Sequence, residues 1–168
     1  MNTTKSTWTI RAATPEDSEV RREITFNAWA DAYSNIFTPQ EIAGLYNGQL
    51  KQSSDWTTEG SETIDGLVAE AKGKIIGHVG LALLGEGQGE VTSLYVLPAH
   101  QGQGAGLGLW TAGCQVLRER GCQEAEVWVL ARARAVGFYN RIGLKRFDES
   151  LYRIGDHAER ALGYRLEL

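Results

Sequence analysis

The chain has 168 residues, with 17 lysines and arginines against 21 aspartates and glutamates, so its formal net charge is −4. That length suits a single domain spanning 1–168 with a sizeable core, and the acidic balance argues against nucleic acid, which needs a basic face. No apolar run is long enough to span a membrane and the start lacks a signal-peptide core, so a cytoplasmic protein with no membrane partner is expected.

Residues 8–14 read as a first strand. Residues 14–33 read as a helix capped by Thr14, with Pro15 in its first turn and Val20, Ile24, Ala28 and Tyr33 at roughly helical spacing. Thr38 and Pro39 open a second helix over 38–50, and polar 51–61 reads as a loop. Residues 66–85 form a hairpin turning at Lys72–Gly73, and 90–98 are the next strand. A helix over 105–121 presents Leu107, Trp110, Cys114 and Leu117 on one face and ends at Gly121. A strand at 125–131, a short helix at 134–143 and an antiparallel pair at 144–154 and 159–168 complete the chain. The order predicts an α/β domain: a mixed sheet flanked by helices. Cys114 and Cys122 lack metal-ligand spacing and are expected as free thiols. The three histidines are scattered, so no metal site is expected; His100 is expected to be exposed and His157 solvated.

Two features stand out between residues 90 and 110. Val91, Leu94 and Val96 are spaced three, then two apart, where a regular strand would keep two. The slip predicts a β-bulge around Thr92–Ser93, freeing main-chain groups for an extended ligand bearing amides. Glycines at 102, 104, 106 and 108 then open a helix. A glycine-rich turn at a helix N-terminus offers unpaired N–H groups and a positive dipole end, which suits a pyrophosphate. The loop has no lysine, which excludes the phosphate loop of nucleotide hydrolases. Its G-x-G-x-G spacing and late position also miss the dinucleotide fingerprint.

Together the segments "LYVLPAHQGQG" and "GFYNRIGLKRF" resemble the GNAT superfamily of N-acetyltransferases, whose coenzyme A motif is Arg/Gln-x-x-Gly-x-Gly/Ala. The resemblance implies a mostly antiparallel sheet with splayed fourth and fifth strands, and acetyl-CoA as acyl donor. It implies that backbone N–H groups of Gln101, Gly102, Gln103, Gly104, Ala105 and Gly106 wrap the pyrophosphate. The strand at Leu94, Tyr95 and Val96 would pair with the pantetheine amides. Arg132 stands where many members have a coenzyme-contacting asparagine. Tyr139 matches the tyrosine near the coenzyme sulfur and would be the general acid; a phenol is protonated at neutral pH. Glu90 is the expected general base, ahead of Glu126, Asp31, Glu70 and His78, and the Leu94 N–H the expected donor to the thioester oxygen.

On the acceptor side the resemblance points to Trp29 and Tyr33, followed by Phe37, as an aromatic wall, with Asp31 or Glu41 near an ammonium. The implied reaction is direct acetyl transfer in a ternary complex to a primary amine of a small molecule or peptide, by a monomer or homodimer. The alternative is a non-catalytic acyl-CoA-binding sensor or regulatory module.

Overall fold

The computed structural model describes residues 7–56 and 60–168. Both early helices start as their Thr-Pro openings require. The Thr14 N–H donates to Asp17 Oδ2 at 2.8 Å, and a single 3₁₀ turn at Pro15–Asp17 leads into α1 (Ser18–Ala32). The Thr38 hydroxyl accepts from the Glu41 N–H (3.1 Å) while Glu41 Oε2 accepts from the Thr38 N–H (2.8 Å), a capping box that starts α2 (Pro39–Tyr46). This helix ends four residues before the predicted limit, because Gly48 turns the chain at φ +79°.

Among the described residues, eight strands form one sheet: β1 (Thr9–Ala12), β2 (Gln52–Ser54), β3 (Glu62–Ala71), β4 (Lys74–Gly85), β5 (Gln88–Val96), β6 (Glu124–Leu130), β7 (Lys145–Ile154) and β8 (His157–Glu167). Their order is β1-β3-β4-β5-β6-β8-β7-β2, antiparallel except for β5 with β6. The expected loop at 51–61 thus contains a short edge strand, β2, paired to β7. It is too polar and too brief to declare itself by alternation. The β3–β4 hairpin turns at Lys72 and Gly73, both at positive φ, as the sequence predicts. The helix α3 (Ala105–Glu119) and α4 (Ala135–Arg141) complete the elements.

The two sheet faces are distinguished residue by residue. A Cβ on Gly89 would meet the Leu117 side chain of α3, and one on Gly77 would meet Val96 and Leu109, so these positions face α3. Their strand neighbours face α1: Tyr95 accepts from the indole N–H of Trp29 (2.8 Å), and His78 bonds Thr25 (2.9 Å). The core fills both sides, with Val79, Leu81, Val91, Leu109, Leu117 and Phe37 almost wholly buried. Two expected core positions are instead exposed, Val20 on α1 and Leu107 on α3; Leu107 lies on the rim of a cleft described below. Cys114 and Cys122 are buried free thiols. No helix of the described residues is long and apolar enough to cross a membrane.

Candidate active site

The phase slip in β5 is a bulge. Gly80 pairs with Ser93 and Leu81 with Val91, leaving Thr92 as the extra residue. A Cβ on Gly80 would come within 2.5 Å of Ser93 Oγ and 2.7 Å of Thr92 Oγ1, so the missing side chain makes room for both bulge residues. Beyond the bulge β5 parts from β6. Their parallel pairing covers only Gln88–Val91 against Glu124–Val127, although β5 continues to Val96 and β6 to Leu130. The Leu97 N–H donates to Ile76 O (2.8 Å) on the β4 side. Main-chain groups alternate along a strand, so those of Leu94 and Val96 point into the gap. The Val96 carbonyl there accepts from Gln101 Nε2 at 3.0 Å.

A cleft of about 530 Å³ opens at this gap, lined by Tyr33, Leu94, Tyr95, Val96, Gln101, Gly102, Gly104, Gly106 and Tyr139 of the expected residues. Gly102 and Gly104 have φ of +73° and +84°, which turns the chain into α3. The first N–H groups of that helix have no acceptor within it. Gly106 has ordinary helical geometry, and a Cβ there would approach only Val96, at 3.9 Å. The protein itself does not require a glycine at 106; the bare backbone keeps the cleft wall clear. Gly108 differs, because a Cβ there would strike the Trp8 ring at 2.5 Å. Two guanidinium side chains also line the cleft, Arg134 and Arg141. The sequence reading missed them, although they lie seven apart, two helical turns, and flank Tyr139. Helix N–H groups, bare glycine backbone and cations fit a phosphorylated ligand.

Several expected residues lie elsewhere. Gln103 turns its carbonyl to the Trp8 indole N–H (2.9 Å) and the Ala105 side chain is buried, so neither lines the cleft and only their backbone N–H groups are left for the expected role. Arg132 does not line the cleft: Glu159 holds it at 2.5 and 3.3 Å, and it also donates to Asn35 O. Trp29 is buried behind Tyr95, against Tyr33 at 4.9 Å and Tyr152 at 6.0 Å. His100 ends a 3₁₀ turn away from the cleft lining. His157 is bonded to Glu41 (2.7 Å) and Glu159 (3.0 Å) rather than solvated. Asp31 pairs with Arg134 at 2.7 Å.

Tyr139 and Glu90 stand on opposite faces of the sheet. Tyr139 packs on the α3 side against Trp110 and Tyr164, and burial, with Tyr95 adding to it, lifts its phenol well above the ordinary range. It is a proton donor, not a base, at neutral pH. Glu90 follows Gly89 and so faces the α1 side, directly across from Glu126 of β6. Burial first, and the Glu126 carboxylate second, push its pKa up to about 7, against a hydrogen bond from Trp56. A carboxyl at that value changes charge at physiological pH. The rivals differ: Glu70 is paired with Arg11 (2.8 Å), and burial pushes His78 down to about 4, leaving it neutral.

Residues 24–144 match the Acetyltransferase (GNAT) family. The chain belongs to that family. A curated relative, the uncharacterized N-acetyltransferase YuaI of Bacillus subtilis (strain 168), is 23% identical over 150 residues, covering 87% of this chain and 85% of the relative. The PaiA N-acetyltransferase of Thermoplasma acidophilum, solved in complex with coenzyme A, superposes with a TM-score of 0.71 at 18% identity, covering 95% of this chain and 99% of that one. A GNAT family acetyltransferase from Brucella melitensis, in complex with acetyl-CoA, gives 0.57 at 24% identity over 93% and 88%. The fold is therefore that of a GNAT enzyme, and the splayed pair β5–β6 corresponds to the expected fourth and fifth strands. The chain is an acyltransferase.

Proposed function

We propose that the protein transfers an acetyl group from acetyl-CoA directly to a primary amine of a small molecule, both bound at once. The observation that carries this reading is the gap between β5 and β6, with a phosphate-suited cleft walled by α1, the start of α3 and α4, and, outside its lining, a carboxyl of raised pKa on the α1 side of β5. Acetyl-CoA supplies the activated acyl group as a thioester. Residues 101–106 and the N-terminus of α3 hold its pyrophosphate, with Arg134 and Arg141 beside it. Leu94 and Val96 offer main-chain groups to its amide-bearing arm.

Glu90 takes the proton that an ammonium must lose before its nitrogen can attack, directly or through one water. The Leu94 N–H donates to the carbonyl oxygen as charge grows there. As the C–N bond forms, the attacking nitrogen sheds its second proton to water in the cleft. As the C–S bond breaks, Tyr139 gives its proton to the departing sulfur and regains one from that water, while Glu90 releases its proton to solvent. The products are an amide and a free thiol. Burial suits both groups: the Glu90 carboxylate is basic enough to take a proton near pH 7, and Tyr139 keeps its own until a strong base appears.

Acetyl-CoA consumption and thiol release against a panel of primary amines test this reading. Acceptor-dependent release is expected. Binding of acetyl-CoA without release for any acceptor would overturn it in favour of a sensing role.

A further inference from the structure

We propose that the acceptor is a primary amine with an apolar body and no carboxylate, selected by an acidic, aromatic surface on the α1 side of β5 and β6. This rests on the transfer reading above. Glu90 lies opposite Glu126, and Glu124 lies two residues before Glu126 on the same face. Arg165 reaches both β6 carboxylates, at 3.3 Å from Glu126 and 3.7 Å from Glu124, and its guanidinium also covers the Phe147 ring at 4.1 Å. Arg165 thus answers two of the three carboxylates, and Lys145, its exposed cross-strand neighbour on β7, is a second cation on this face, so with Glu90 ionised the three carboxylates still outnumber the cations. Farther along, Arg153 is engaged by Asp55 at 2.6 Å, and His157 is held between Glu41 and Glu159.

Aromatic rings continue the surface. Trp128 donates its indole N–H to Glu126 (3.3 Å), Trp56 stacks on Trp128 at 4.8 Å with planes 12° apart, and Tyr152 lies 6.1 Å from Trp56. A cation is attracted by both the carboxylates and the ring faces, and an apolar body suits the rings. An α-amino acid would carry its carboxylate within a few bonds of the attacking nitrogen. That charge would meet Glu90, Glu124 and Glu126 with Arg165 already occupied, and like charges in a partly buried site repel strongly.

Matched pairs differing only by the carboxylate decide this: phenethylamine against phenylalanine, and tryptamine against tryptophan. Values of kcat/KM should favour each amine by at least about tenfold, mainly through KM, because the repulsion acts on bound substrate. In Glu126→Gln the ratio should move toward one when measured above about pH 8, where Glu90 is ionised in both proteins and contributes the same repulsion. Glu124→Gln provides the same test should the first variant fold poorly, as checked by circular dichroism. Equal or better use of the amino acids, or a ratio unmoved in a folded variant, would overturn the proposal. Turnover of another amine class with neither pair accepted would overturn it too while leaving the transfer reading intact. Acetyl-CoA binding with no thiol release from any acceptor would remove the transfer reading itself, and the acceptor class with it.

Discussion

The Glu90–Glu126 pair makes a quantitative prediction: Glu126→Gln should shift the acid limb of the pH–rate profile downward. The two residues are cross-strand partners in a parallel ladder, and adjacent strands lie about 4.8 Å apart. Carboxylates leaving the same face are on the order of 6 Å apart. At an effective dielectric near 40, which allows for Arg165 sharing Glu126, two unit charges at that distance repel by about 1.4 kcal/mol. This equals about one pKa unit. It is also the right share of the whole effect, because the rise from 4.5 to about 7 has burial as its larger cause.

With Glu90 as the base, kcat/KM for the amine should fall below about pH 7 in the native protein. The limb should move to about pH 6 in Glu126→Gln, with the plateau retained. The amine's own ionisation, with a pKa of about 10.4, is too distant to be confused with it. Glu90→Gln should remove the limb and lower the plateau by about 10²-fold or more. A limb that stays near pH 7 in Glu126→Gln would show that the titrating group is not Glu90, and the base would have to be sought elsewhere.

The remaining predictions concern the cleft and the cost of the site. Tyr139→Phe should lower kcat by about 10²-fold while leaving acetyl-CoA affinity within about twofold, as measured by steady-state kinetics and calorimetry. Gly106→Ala should fold normally and keep acetyl-CoA affinity within a few-fold, because the motif takes alanine there and the methyl meets only Val96 at 3.9 Å, whereas Gly108→Ala should destabilise the fold by about 1–3 kcal/mol, seen as a lower melting temperature, because its methyl meets Trp8. Gly104→Glu should abolish acetyl-CoA binding, through its φ of +84° and its charge at the phosphate site. Glu90 has a folded pKa above its unfolded value, so its contribution to stability is full below about pH 4.5 and is lost as pH rises through about 7. Glu90→Gln should therefore be more stable than the native chain at pH 8, on the order of 1–2 kcal/mol after solvent screening, and show little gain at pH 4; thermal melts at the two pH values check this.

The parts of the site built from backbone geometry were legible in the sequence. The three-then-two spacing of Val91, Leu94 and Val96 is the direct imprint of a bulge, since all three must face α3 although one extra residue intervenes. The conformational glycines at 102 and 104 were equally plain, because a positive φ leaves few other choices. Side-chain partnerships were not legible. Arg132 is captured by Glu159, 27 positions later, and His157 by Glu41, 116 positions earlier. Nothing local in either segment announces such a meeting. The short strand β2 was hidden for a different reason: at a sheet edge it is stabilised by pairing with β7, not by a buried face, so it carries no hydrophobic period.

The placement of the two proton-handling groups follows from this same geometry. In an unbroken sheet Glu90 and Tyr139 could not serve one reaction, because a layer of backbone hydrogen bonds would separate the α1 face from the α3 face. The bulge at Thr92 turns β5 away from β6 just past Val91, one residue after Glu90. The gap it opens joins the two faces at the level of Leu94, whose N–H is left unpaired by the same divergence. The bulge, the free N–H, the base at the edge of the gap and the acid beyond it are thus one device. Restoring regular pairing, by deleting Thr92, should keep Leu94 opposite Val79 and on the α3 face but let β5 continue alongside β6, so that the gap closes and the Leu94 N–H is spent on the β6 ladder. Such a variant would retain both Glu90 and Tyr139 and still be inactive, with acetyl-CoA binding weakened because the main-chain partners at Leu94 and Val96 are withdrawn.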